Sequence, residues 1–138
     1  MLETIREFAA EMLAAGEDAT DIGRRHALAF AELAERAAPE LSGADQRTWL
    51  DRLEREHDNL RAALEWAADH DPPLAVRLAF ALWRFWQQRG YLNEARARFD
   101  AMAARDWTLE PRDRAHFAEA YGGIAYWQSD EGTARRWY

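Results

Sequence analysis

Apolar residues recur along this chain at three- and four-residue steps, and no stretch alternates polar and apolar as a half-buried strand does. In MLETIREFAAEML, Leu2, Ile5, Phe8, Met12 and Leu13 share one face, and Gly16 is a usual residue just past a helix C-terminus. A second helix is predicted from about Thr20 to Ala38, with Ile22, His26, Phe30, Leu33 and Ala37 on one face. Pro39 ends it, because proline cannot continue a helix without losing a hydrogen bond. Ser42-Gly-Ala-Asp45 reads as a capping signal. The stripe that follows (Trp49, Leu50, Leu53, His57, Leu60, Leu64, Ala67) allows one helix to about Asp69. It also allows a break near Glu56-His57-Asp58-Asn59, where Asp and Asn suit a fresh helix start, and a break is the preferred reading.

Asp71-Pro72-Pro73 places an acid at an N-cap and proline at the first helical position. The helix it opens runs to about Arg89 and is apolar nearly all round, with one narrow polar stripe at Arg77, Ala81, Arg84 and Gln88. Such a helix is expected to be sandwiched between neighbours. Gly90 supplies the left-handed conformation that stops it. Asn93 is a candidate cap for the next helix, whose buried stripe is Leu92, Ala95, Phe99 and Met102. Pro111 opens another, to about Gln128; Ser129-Asp130 makes a turn, and a last helix follows. The pattern is all-α, with about seven helices. Short loops between them make consecutive helices antiparallel neighbours.

Composition narrows the chemistry. The chain has 138 residues and no Cys, which removes disulfides, thiol nucleophiles and cysteine-ligated metals and fits a cytoplasmic location. Its 18 basic residues are all Arg, so a P-loop lysine or a Schiff base has no residue to form it. The net charge of −7 has the wrong sign for general nucleic-acid affinity. No apolar run approaches the roughly 20 residues of a membrane span, so neither nucleic acid nor membrane is an expected partner.

Two stretches repeat. LWRFWQQRGYLNEARARF (82–99) and YGGIAYWQSDEGTARRWY (121–138) each run from an aromatic helix end through a turn to a small Ala four residues before an aromatic, Ala95 before Phe99 and Ala134 before Tyr138. This resembles the tetratricopeptide repeat, with Leu82 and Tyr121 at its leucine position, Gly122 at its glycine and Gly90 in its turn. In such repeats small residues admit a neighbouring backbone and large rings fill the seam between hairpins. Trp83 stands where the packing glycine belongs and Ser129 where the turn glycine does. The two copies lie 39 residues apart (82 to 121) against a usual period of about 34, the excess falling in Arg105–Glu110. The resemblance implies an antiparallel α-hairpin array, a tetratricopeptide-like superhelix, with one hairpin over 71–110 and a second, truncated one over 111–138.

Residues 1–13, WLDRLEREHDNLRAALEWA (49–67) and LAFALWRFWQQRGYLNEAR (78–96) together resemble the helical region of bacterial STAND-class signal-transduction ATPases, including those fused to LuxR- or AfsR-type DNA-binding domains. Glu56-His57-Asp58-Asn59-Leu60-Arg61 is the most specific part, since helix propensity alone would not choose it. The resemblance implies that the chain is a fragment. Residues 1–70 would form a helical linker bundle after a winged-helix segment, and the chain would stop in mid-hairpin. ATP, magnesium and DNA binding would belong to the parent protein, with no cofactor in this chain. The implied role is non-catalytic regulation through a protein or peptide partner, or through other domains of the parent. A free-standing adaptor that binds a partner peptide is the alternative. Positions matching the concave groove of tetratricopeptide arrays are Arg77, Phe80, Arg84, Gln87 and Gln88 on one helix, then His116, Glu119, Gly123, Tyr126 and Trp127 on another. Arg77 and Arg84, one heptad apart, suit the carboxylates of a partner; a solvated face with aliphatic stems on Trp83 and Phe80 is the plainer reading.

Catalytic readings are weaker. Glu54-x-x-His57 and Asp113-x-x-His116 have the i,i+3 spacing of di-iron helices, but no further inward Glu stands out, and His57 sits on a buried stripe as a hydrogen-bonded core residue would. His26 and His70 belong to no ligand pattern, and no Ser or Thr has a triad-like context. The His57-Asp58-Asn59 stretch is read chiefly as a helix break or cap. Its functional reading is a polar junction that sets the angle between the linker helices and the array.

Overall fold

The computed structural model describes Glu7 and residues 18–137. The helix expected over 1–13, its stop at Gly16 and the ring of Tyr138 lie outside the described residues, apart from Glu7, which is helical and exposed. Among the described residues there are seven α-helices and no strand: α1 (Ala19–Ala37), α2 (Gln46–Arg55), α3 (His57–His70), α4 (Pro72–Gln88), α5 (Leu92–Ala103), α6 (Pro111–Trp127) and α7 (Glu131–Trp137). A 3-10 turn, Ala38–Ser42, joins α1 to α2. The fold is all-α.

Local chemistry sets most boundaries. The Asp18 carboxylate caps α1, accepting from the Thr20 amide at 2.8 Å and the Asp21 amide at 3.3 Å. Pro39 sits inside the 3-10 turn, where its missing amide costs nothing. The break in the third segment falls at Glu56, so α2 and α3 are separate helices. The Asp71 carboxylate caps α4 by accepting from the Leu74 amide at 3.2 Å. Gly90 turns the chain with φ +80°, and no atom lies within 4 Å of where its Cβ would stand. The second turn uses Ser129 at φ 63°, in the left-handed region that a non-glycine residue enters at some cost.

Two expected caps are corrected. The Ser42 hydroxyl turns back to the Pro39 carbonyl at 3.4 Å, and Asp45 stands at the N-cap of α2 with no side-chain cap bond. Asn93 falls inside α5; Tyr91 is the N-cap, without a side-chain cap bond, and the Asn93 carbonyl accepts from Gln128 at 3.0 Å instead. Both side chains found partners outside the helix start that local sequence assigned them.

The core is built around α4, which packs against α1, α3, α5 and α6. Leu74, Leu78, Leu82, Phe85 and Trp86 are all buried, as is Ala81, which the sequence placed on the polar stripe. Residues 72–103 fold back as a pair about Gly90, with the Trp86 and Phe99 rings edge-on at 6.0 Å. Phe99 is fully buried and also touches Phe117 (5.6 Å) and Tyr121 (5.5 Å), so one ring joins α4, α5 and α6. Removing a side chain of this size from water stabilises by roughly 1.5–3 kcal/mol.

Glycine sets the closest approach. A Cβ at Gly123 would lie 2.6 Å from Cζ3 and 2.7 Å from Cη2 of Trp83. The small residue facing Trp83 is therefore Gly123, next in sequence to Gly122, which is also buried. Gly23 does the same for the Trp66 indole, whose Nε1 would stand 2.1 Å from an added Cβ.

Candidate interaction groove

A groove of about 370 Å³ lies between α1, α4 and α6. Its walls include Arg77, Phe80 and Ala81 of α4 and Arg112, Asp113 and His116 of α6, with Glu35 and Ala38 closing the α1 side. The spacing is helical: Arg77, Phe80 and Ala81 fall within four residues of one another, as do Arg112, Asp113 and His116, so each set shares a face. The Phe80 and His116 rings stack across the two helices, with centroids 4.1 Å apart and planes within 7°. Each ring covers a face of the other, and the pair is flanked by the charged groups Arg77, Arg112 and Asp113.

Arg77 does not stand ready for an incoming carboxylate. It donates to Glu35 through Nε at 3.1 Å and through Nη2 at 2.7 Å. This is a fork-to-carboxylate pair that ties α4 to α1. The hydrogen bonds that Arg77 donates to Glu35 hold the guanidinium pKa above its ordinary value. A ligand using Arg77 would displace or share Glu35. Arg84, one heptad on, is exposed and lies over the Trp83 ring at 4.0 Å from its centroid, a cation–π contact.

The other nominated residues scatter. Gln87 is half-buried. Gln88 donates to the Leu41 carbonyl at 3.3 Å and so fastens α4 to the 3-10 turn. Glu119 is exposed. Tyr126 and Trp127 are exposed at 63% and 50%, and contact each other edge-on at 6.2 Å. They sit ten and eleven residues beyond His116, about 15 Å along the helix. Arg77, Phe80 and His116 are thus brought into one groove, and the remaining seven do not line it; Gly123 is buried against Trp83. Sequence periodicity missed Glu35, 42 residues before Arg77 on α1, and Ala38 at the start of the 3-10 turn, because spacing along one helix says nothing of a wall that distant.

The Glu56–Arg61 stretch is more than a break. His57 is buried and contacts two carboxylates, Glu94 at 2.9 Å through Nε2 and Glu54 at 3.5 Å through Nδ1. Arg61 donates to the other Glu94 oxygen at 2.6 Å, and Tyr91 donates to Glu54. Burial pushes the Glu94 carboxyl up, but hydrogen bonds from Arg61 and His57 outweigh it and hold the group below its ordinary range. The hydrogen bond to Glu54 pushes the Tyr91 phenol up. On the opposite side, Asn59 is buried, donates to Glu56 at 3.0 Å and meets His26 of α1 at 3.4 Å. One short stretch therefore ties α3 to α1 and to α5. Asp58 and Asn59 lie in the first turn and cap nothing.

Among the described residues, no three His, Asp or Glu side chains converge as metal ligands. Both ring nitrogens of His57 face carboxylates, and His116 is stacked on Phe80. Among the described residues, no helix is long and apolar enough to cross a membrane. No protein-family model, curated protein or solved structure matches the chain.

Proposed function

We propose that this chain is the regulatory interaction region of a STAND-type transcriptional regulator, built as a tetratricopeptide-like array of antiparallel hairpins. The groove between α1, α4 and α6 takes a peptide, either from a partner protein or from another domain of the parent chain. The observation that supports this best is the stacked Phe80–His116 pair, which places two rings in the groove beside Arg77, Arg112 and Asp113. Concave surfaces between helical hairpins are what repeat proteins use for binding. No chemistry is assigned to the chain. Binding and the relative movement of helices are the mechanism, with the Glu54–His57–Glu94 junction fixing how α3 meets α5. The setting is cytoplasmic, and ATP and magnesium belong to the parent's nucleotide-binding domain.

A peptide library displayed against the 138-residue chain tests the binding role. Selected peptides should lose at least tenfold in affinity on Phe80→Ala or His116→Ala, with helical content unchanged. Binding indifferent to both substitutions refutes the groove. The neighbouring coding sequence tests the parentage separately. An in-frame GxxxxGK[ST] upstream supports the regulator, and a self-contained reading frame supports the free-standing adaptor.

A further inference from the structure

We propose that a second site, at the seam of α5, α6 and α7, binds a small aromatic carboxylate. A crevice of about 200 Å³ opens there, walled by Met102, Trp107, Leu109, Phe117 and Trp137 with Arg114 at its edge. Met102 and Phe117 are buried, while Trp107, Leu109 and Trp137 are half-buried, so the floor is fixed and the walls are reachable. The Trp137 ring is set in place by Tyr121, stacked at 4.8 Å, and by Phe117, edge-on at 5.4 Å. Trp107 and Leu109 come from the 104–110 connection, the segment that makes the repeat longer than the usual period. That extra chain wall has no role in the peptide groove, and the two sites share no lining residue.

Size and charge name the ligand. An apolar cavity of about 150 Å³ in another protein holds benzene, so this crevice suits one or two fused rings. Ring walls favour a flat aromatic body through stacked and edge-on contacts. The lining carries two arginines and no carboxylate. Arg105 is engaged with Asp69 at 2.6 Å and the Ala68 carbonyl at 3.1 Å. The Arg114 guanidinium has no hydrogen bond or ion pair among the described residues; only its backbone amide is engaged, with the Glu110 carbonyl. An exposed guanidinium beside an apolar crevice is matched by a carboxylate on an aromatic ring, which it binds as a two-pronged, charge-assisted pair. A neutral ring of the same size would fill the crevice and leave the guanidinium to water.

The test uses 2-naphthoate and its neutral amide, 2-naphthamide, with the 138-residue chain labelled for ¹H–¹⁵N spectra. The indole N–H signals of Trp107 and Trp137 should shift saturably with naphthoate, while those of Trp49 and Trp66 stay in place. The amide should bind at least tenfold more weakly, and Arg114→Gln should abolish that preference without changing the far-ultraviolet spectrum. Absence of saturable shifts at several millimolar overturns the site. Equal binding of acid and amide, or a preference that survives Arg114→Gln, overturns the carboxylate assignment. Loss of peptide binding at Phe80 bears on the groove alone, so the two readings fail separately.

Discussion

Replacing Gly123 by alanine inverts a rule. In an ordinary helix interior the change stabilises by about 0.8–1 kcal/mol, because glycine gives up more backbone freedom on folding. Gly123 lies well inside α6, so propensity alone predicts a gain. The added methyl would stand 2.6–2.7 Å from two ring carbons of Trp83, well inside contact distance. Trp83 is only 5% exposed, so its ring has little room to retreat. Overpacking of this kind costs about 1–3 kcal/mol, and the net expectation is a loss of about 1 kcal/mol. For a chain of this length that lowers Tm by about 3–5 °C. Urea unfolding followed by circular dichroism measures it. In a Trp83→Leu background, which itself costs about 2–4 kcal/mol, the obstruction is gone and Gly123→Ala should stabilise by up to ~1 kcal/mol. The two effects differ by about 2 kcal/mol, within the range of couplings between touching residues. A stabilising Gly123→Ala in the parent chain, or additive effects, would refute the close approach of α4 and α6.

Other expectations follow from the same packing and charge. Phe99→Ala removes a fully buried ring shared by three helices and should cost about 3–5 kcal/mol in urea unfolding; a loss under about 1 kcal/mol would place the ring at the surface. Glu94→Ala strips His57 and Arg61 of a shared carboxylate and should cost about 1–3 kcal/mol, less than a fully buried pair because its side chain is 27% exposed. Burial lowers His26 below its ordinary 6.5, against the opposing pull of Asn59 and Glu56. The unfolded chain therefore binds the proton more tightly, so this contribution is whole above about pH 6.5 and is lost as pH falls from there through the folded pKa. Urea midpoints should drop between pH 7.5 and 5.5, and drop less in His26→Gln. Glu94 acts with the same sign further down, its contribution lost as pH falls below its unfolded value of about 4.5.

Signals that act over one helical turn could be read from the chain. Asp71 with its two prolines, Gly90 and Pro111 mark their boundaries because a cap, a positive φ or a missing amide acts on the nearest residues, whatever packs later. The buried stripes of α1 and α4 survive for a similar reason: one face of a helix has one environment. Asn93 and Ser42 show the limit. Each is a good capping residue locally, but Ser42 turns back to the carbonyl of nearby Pro39, and Asn93 bonds Gln128, 35 residues on. Long-range partners leave no periodic trace. Nothing in the spacing joins Arg77 to Glu35, His26 to Asn59, or Gly23 to Trp66. The groove was accordingly half legible. Arg77, Phe80 and His116 could be nominated from two helix faces, whereas the α1 wall depended on a packing choice made elsewhere. Tyr126 and Trp127 share a helix with His116 yet sit too far along it to reach the same groove.

Backbone amide shifts on adding the tightest selected peptide locate its seat directly. The largest changes should cluster at Arg77, Phe80 and Ala81 and across Arg112–His116, on both sides of the stacked rings. Shifts centred instead on Tyr126 and Trp127, with residues 77–81 and 112–116 unmoved, would show that the peptide binds elsewhere and that the groove between α1, α4 and α6 is not an interaction surface.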